Sequence, residues 1–256
     1  MKKVFKILIL LGLFLNLVGF SKEVKLIHIT DINLTTQNAH KLQETIKEIN
    51  DYDDIDFVVF GGNNIAKPNI DNLNTFLYLL KKVNKKCYVL LGSSDVFSSS
   101  GIDKNYYLKR VAHTKFLHSK KTNYTFKKNG YLFIVMDGVK QYFKSTNGYY
   151  NKKELLWLEK TLKKNKDEKV IILQHFPLLK NSSKWIETAK IEEYNEVLSK
   201  FDNVKVIISG HYDKNIETKE NGIYHIVSES YSKSGAYKII EIDLDYDFIA
   251  TYLVRD

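Results

Sequence analysis

From Val24 onward, short apolar runs alternate with segments of helical period, and this alternation constrains the fold more than any other feature of the chain. It is the pattern of strands crossed over by helices. The spacing predicts core strands at 25–30, 56–60, 87–91, 131–136, 170–173 and 204–209. Most are apolar throughout, as strands covered on both faces must be. Helices are expected at 38–50, 70–83, 152–164 and 191–200, where apolar residues recur at three and four, as Leu155, Leu158 and Leu162 show. The C-terminal stretch changes to alternating segments at 237–244 and 248–254 after a turn at Gly222, and reads as antiparallel strands completing a second sheet.

Ahead of this pattern stands a different segment. Lys2, Lys3 and Lys6 precede the apolar run Ile7 to Val18, and Gly19 and Ser21 follow it. A basic start, an apolar middle and small residues at the end predict a secretory signal peptide over residues 1–21. The run of about 12 residues falls short of the roughly 20 that span a bilayer, so no membrane span is expected after cleavage. The expected destination is periplasmic or secreted, with residues 22–256 forming one domain.

Losing the three leader lysines lowers the net charge from +9 to about +6. The remaining lysines are scattered among Asp and Glu. Such a surface attracts anions without naming one, and with no recognition motif beside it, no nucleic-acid partner is expected. Cys87 is the lone cysteine, which excludes an internal disulfide and reads as a small buried residue.

Ligands of open α/β sheets gather beyond the carboxyl ends of the strands. The residues there are His28-Ile29-Thr30-Asp31-Ile32-Asn33, Phe60-Gly61-Gly62-Asn63-Asn64, Leu91-Gly92-Ser93-Ser94-Asp95, Gln174-His175-Phe176-Pro177 and Ser209-Gly210-His211-Tyr212-Asp213. In order, spacing and strand context these five blocks resemble the calcineurin-like metallophosphoesterases. The family's own blocks are Asp-x-His, Gly-Asp, Gly-Asn-His-Asp/Glu, a lone His and Gly-His-x-His. The resemblance covers nearly the whole chain after the leader and implies two mixed β-sheets in a sandwich flanked by helices.

It also implies a site in which two divalent cations, roughly 3.5–4 Å apart, clamp a phosphoryl group and activate a water. Carried over by position, the first ion would see Asp31, Asn33, Asn63 and Asp213, and the second Asn63, Ser93, His175 and His211. Asn63 stands where the bridging aspartate belongs, and a neutral amide bridges two cations poorly. Ser94 stands where the family has its proton-donating histidine, and a serine cannot supply that proton near neutral pH. Asp31, His175 and His211 alone keep the family's residue. A two-metal centre is therefore not expected. One divalent cation is, and the oxygen set around Asp31 and Asp213 favours Mg²⁺ or Ca²⁺ over Zn²⁺ or Mn²⁺.

Asn64, His175 and His211 are the expected ligand-contacting residues. Asp95 reads as a loop-holding residue and His28 as a core histidine, while the 17 tyrosines read as packing. The loop from Lys140 to Tyr150 is expected at the rim. The expectation is an exported family member of impaired or absent activity that binds a phosphorylated small molecule, a metal ion or a protein partner. The alternative is an active phosphoesterase working through a reduced, single-ion centre.

Overall fold

Alternate residues of each predicted strand point into two different apolar layers, and this accounts for the architecture. The structure, a computed structural model, describes residues 22–114, 119–180 and 187–255; the expected leader lies outside them. One sheet has the order β11-β10-β1-β2-β3, built from β1 (Val24–Ile29), β2 (Phe57–Phe60), β3 (Cys87–Val89), β10 (Tyr237–Asp243) and β11 (Phe248–Val254). The other has the order β4-β5-β6-β7-β9-β8, from β4 (Tyr124–Lys128), β5 (Tyr131–Met136), β6 (Val170–Gln174), β7 (Val204–Ser209), β8 (Ile216–Glu220) and β9 (Ile223–Val227).

Between the sheets, Leu26, Phe57, Val59 and Tyr88 meet Phe133, Val135, Ile171 and Leu173. The intervening residues of the first sheet, among them Ile27, Val58 and Phe60, turn outward against α1 (Ala39–Asp51), α2 (Ile70–Leu80) and α3 (Lys104–Ala112). Those of the second sheet, such as Leu132, Ile134, Val170 and Ile172, pack under α4 (Lys152–Lys164) and α5 (Ile191–Leu198). The result is helix, sheet, sheet, helix, with each buried Leu, Ile or Phe worth roughly 1.5–3 kcal/mol. Cys87 and His28 are buried in it, as the sequence suggests. No helix among the described residues is long and apolar enough to cross a membrane.

Four elements differ from expectation. Only β8 and β9, turning through Asn221 and Gly222 at positive φ, extend the second sheet. The last two strands return to the first, where β10 lies antiparallel to β1 with Leu26 opposite Ile240. Its residues are buried on both faces, which suits a place between β1 and β11 rather than an edge. Helix α3 and strand β4 were not foreseen. Strand β4 is a half-buried edge in which Phe126 stacks on Phe133 at 4.8 Å and covers the end of the inter-sheet core.

Strands β1, β2 and β3 run parallel, as do β5, β6, β7 and β9. The carboxyl ends of both parallel sets therefore supply the site. Backbone bonds lock the loops there: Asp31 N–H donates to Gly62 O at 3.0 Å, and Gly210 N–H to His175 O at 3.0 Å.

Candidate active site

The loops at these strand ends share a backbone peculiarity. Asp31, Asn33, Asn63, His211 and Asp213 all have φ between 47° and 69°. This left-handed region is disfavoured for residues with a Cβ, and Asp, Asn and His tolerate it best. Residues held this way concentrate at functional sites, where surrounding structure over-determines them. Close approach adds a second constraint at Gly92, where a Cβ would lie 2.1 Å from Asn63 N.

Three side chains converge. Ligand-competent atoms of Asp31, His175 and His211, all buried, lie within 4.8 Å of one another. They are the three positions at which the chain keeps the family's residue. The His175 ring places Nδ1 2.8 Å from Gly61 O. A carbonyl only accepts, so Nδ1 carries the proton and Nε2 presents a lone pair. That Nε2 is buried without a hydrogen-bond partner and faces Asp31 Oδ1 at 3.8 Å. Two electron-rich atoms held in this way call for a cation or a proton between them, so one divalent ion fits this set. A carboxylate with two imidazoles is a donor set of the kind used by Zn²⁺ and Fe²⁺ sites.

The other expected ligands are engaged elsewhere. Asn63 Nδ2 donates to Asp31 Oδ1 at 2.9 Å, and Asn63 Oδ1 accepts from Ser94 N–H at 2.9 Å. The amide's orientation is fixed by its neighbours, since a carboxylate can only accept and a backbone N–H only donate. The –NH₂ group of Asn63 thus meets the carboxylate where a bridging aspartate would instead share cations with it. Asn33 Nδ2 donates to Ser232 Oγ at 3.1 Å and to Asp31 O at 3.2 Å. Asp213 pairs with Lys233 at 2.7 Å. Of the oxygen set foreseen for Mg²⁺ or Ca²⁺, Asn33 and Asn63 thus both donate to Asp31, and Asp213 pairs with Lys233.

Ser94, at the proton-donor position, has Oγ 2.6 Å from Ile65 O and 3.0 Å from Asn63 Oδ1. Two acceptors compete for its one proton. Ser93 Oγ lies 3.4 Å from Asn63 Oδ1, a weak contact. Asn64, expected to touch ligand, is fully buried and donates instead to Leu90 O at 2.9 Å and Asp95 at 3.1 Å. Asp95 holds the loop, accepting from Gly92 N–H at 2.8 Å and Ile65 N–H at 3.0 Å. Burial pushes its carboxyl up to about 7.

Some supporting residues escaped the sequence reading. Thr30 Oγ1 and His211 N–H both donate to Asp31 Oδ2 at 2.9 Å, so the carboxylate ties the two sheets together. The segment from Ser230 to Ser234, which contains the short helix α6 (Tyr231–Ser234), wraps the Asp31 loop, with Ser232 N–H donating to Asp31 O at 3.1 Å. Its only signal in sequence is a run of hydroxyl residues. Beneath the site, His28 Nδ1 meets Ser228 Oγ at 2.7 Å. Burial, reinforced by the Lys238 ammonium, pushes His28 down to about 3 and keeps it neutral.

Beside Ser93 and Ser94 opens a cleft of about 860 Å³. Residues 143–147 form part of its wall, so the loop from Lys140 to Tyr150 does contribute to the rim.

A profile described as "Calcineurin-like phosphoesterase" matches residues 24–213. The chain is 23% identical over 215 residues to the 3',5'-cyclic adenosine monophosphate phosphodiesterase CpdA of Haemophilus influenzae, covering 78% of this chain and 73% of the relative. To the 3',5'-cyclic-nucleotide phosphodiesterase alr5338 of Nostoc it is 20% identical over 220 residues, with 81% and 78% covered. Among solved structures, a dimetal phosphatase from Danio rerio superposes with a TM-score of 0.68 at 14% identity, covering 89% of this chain and 98% of that one. GAP50, the anchor in the inner membrane complex of Plasmodium, superposes with a TM-score of 0.65 at 18% identity, covering 91% and 84%. Strand-end loops, fold and profile agree, and the chain belongs to the calcineurin-like phosphoesterase family.

Proposed function

We propose that this family member binds phosphate esters at a reduced centre holding a single divalent ion, and does not carry out two-ion hydrolysis. The observation behind this reading is the Asn63 side chain, which donates to Asp31 where a shared carboxylate would have to offset two cations. Asp31, His175 and His211 would hold the ion. Bound there, it would supply Lewis-acid polarisation of a phosphoryl oxygen. The imidazole-rich donors favour a transition ion, a revision of the Mg²⁺ or Ca²⁺ expected from the oxygen set.

The arrangement at Ser94 supports this reading. The Ser94 proton is shared between Ile65 O and Asn63 Oδ1, so no side chain at that position is arranged to protonate a leaving group. The two curated relatives are named for cyclic-nucleotide substrates, which supports a phosphorylated small molecule as ligand over a protein partner. Export through the leader at residues 1–21 belongs to the same proposal, with the periplasm or the cell exterior as destination.

The test is hydrolysis of an aryl phosphate monoester and diester by the mature chain, with Mn²⁺, Zn²⁺, Mg²⁺ and Ca²⁺ each supplied in turn. No ion-dependent turnover is expected. Turnover that depends on the ion and disappears in Asp31→Ala would establish the alternative, an active single-ion phosphoesterase.

A further inference from the structure

Each of the two sheets ends in two edge strands, and an edge offers its outward N–H and C=O groups to any strand that lies beside it. Three of these edges are blunted. Strand β3 is three residues long. Strand β4 ends in Lys127 and Lys128, and β8 carries Glu217, Lys219 and Glu220. Strand β11 has no such protection. It runs seven residues, Phe248–Val254, in unbroken register with β10, and contains no charge, no proline and no glycine. Among the described residues no strand lies on its outer side.

The side chains of β11 divide between two faces. Ile249, Thr251 and Leu253 face the opposite sheet, where Ile249 packs against the inter-sheet core. Phe248, Ala250, Tyr252 and Val254 share the other face, and there Phe248 and Tyr252 remain 46% and 50% exposed. The sequence of this strand is complementary to its own reverse. Antiparallel pairing about Thr251 sets Phe248 against Val254 of a second copy and Tyr252 against Ala250, large against small on one face. On the other face Ile249 meets Leu253, and Thr251 meets its own copy. The charges follow the same symmetry. Asp247 precedes the strand, and Arg255, held by Glu229 at 2.9 Å, follows it. This register puts Asp247 opposite Arg255 on both sides of the axis, whereas parallel pairing would bring like charges together.

We propose that β11 is a dimerisation edge, to which a second copy of this chain adds its own β11 antiparallel about a two-fold axis at Thr251, joining two five-stranded sheets into one. A foreign strand meets the outward backbone groups equally well; the match of size and charge within residues 247–255 singles out a second copy. None of these residues belongs to the ion centre, so the pairing stands or falls independently of the phosphate-binding reading.

Analytical ultracentrifugation of the mature chain over a dilution series, with cysteine cross-linking, tests this. A monomer–dimer equilibrium is expected. Phe248→Lys replaces a half-exposed ring and sets an ammonium beside Arg255 of the second copy at both ends of the interface, so it should raise the dissociation constant at least about tenfold. Under mild oxidation Thr251→Cys should link two chains by a disulfide, whereas Ala250→Cys, whose copies stand more than about 7 Å apart in this register, should not. The native Cys87 is buried and leaves that readout clean. A chain that stays monomeric at every concentration would overturn the proposal. So would a dimer that Phe248→Lys leaves intact, or one that cross-links through Ala250→Cys and not through Thr251→Cys. If Phe248→Lys fails to fold, the two cysteine variants still decide.

Discussion

The two halves of the candidate site hold their polar groups in different ways. On one side, His175 and His211 meet Asp31 as the family's pattern requires, and His175 Nε2 is buried with an unsatisfied lone pair facing a carboxylate. On the other side Asn33, Asn63 and Asp213 replace family ligands, and each now makes a hydrogen bond or ion pair within the chain. The first half still asks for a cation. In the second, the Asn63 –NH₂ donates to Asp31, the Asn33 –NH₂ donates to the Ser232 hydroxyl, and the Lys233 ammonium pairs with Asp213.

The backbone is common to both halves. Asn33, Asn63 and Asp213 have changed their ligand chemistry, yet remain among the residue types that tolerate positive φ. The largest expected effect tests that shared frame. Gly92→Ala places a Cβ 2.1 Å from Asn63 N, against backbone that cannot yield cheaply. It should cost about 3 kcal/mol in urea denaturation. A neutral result would show that the loop is softer than its contacts indicate.

Asn63→Asp comes next and addresses the second half. The substitution removes the donor to Asp31 Oδ1 and sets two carboxylates against each other. Without divalent ions it should destabilise by about 2–3 kcal/mol. Added Mn²⁺ should recover most of that loss in thermal melts, because the bridging charge has returned. Equal melting temperatures with chelator and with Mn²⁺ would mean that this half no longer supports a metal even with its carboxylate restored.

The layer beneath both halves predicts a pH effect. His28 is pushed down to about 3 in the fold by burial, against an ordinary value near 6.5. The unfolded chain takes up a proton as the pH falls through 6.5 and the folded chain does not, so stability is full above that value and declines below it. Between pH 7 and 5 the decline from His28 should be about 2 kcal/mol. His225, lowered to about 4 by burial, adds to the same slope. His28→Gln should flatten the profile by its own share; an unchanged profile would remove His28 from the account. The smallest effect is expected from Lys233→Ala. The Lys233–Asp213 pair is largely exposed, so its loss should cost under about 0.5 kcal/mol. A loss above about 2 kcal/mol would show that this ammonium holds the second half together.

Much of this was legible in sequence where local pattern and ligand type coincide. Continuous apolar runs marked β5 and β7 to the residue, and helical spacing marked α4. Strand β4 was not legible, because Tyr124–Lys128 alternates as a half-buried edge and contains no apolar run. The sheet chosen by β10 was not legible either, since its alternation says that it pairs but not with which neighbour. At the site, identity and order of Asp31, His175 and His211 were readable. The rotations that send Asp213 to Lys233 and Asn33 to Ser232 depend on partners about 20 and 199 residues distant, in a segment without a motif.

The central claim is that one half of this site holds an ion and the other has replaced its ion with hydrogen bonds. Metal content per chain, measured after loading the mature protein with excess Mn²⁺ or Zn²⁺ and removing loosely held ions, tests it most directly. The account predicts one ion per chain, lost in His175→Ala and retained in Asp213→Ala. Two tightly held ions per chain, or one ion that depends on Asp213 and not on His175, would contradict it.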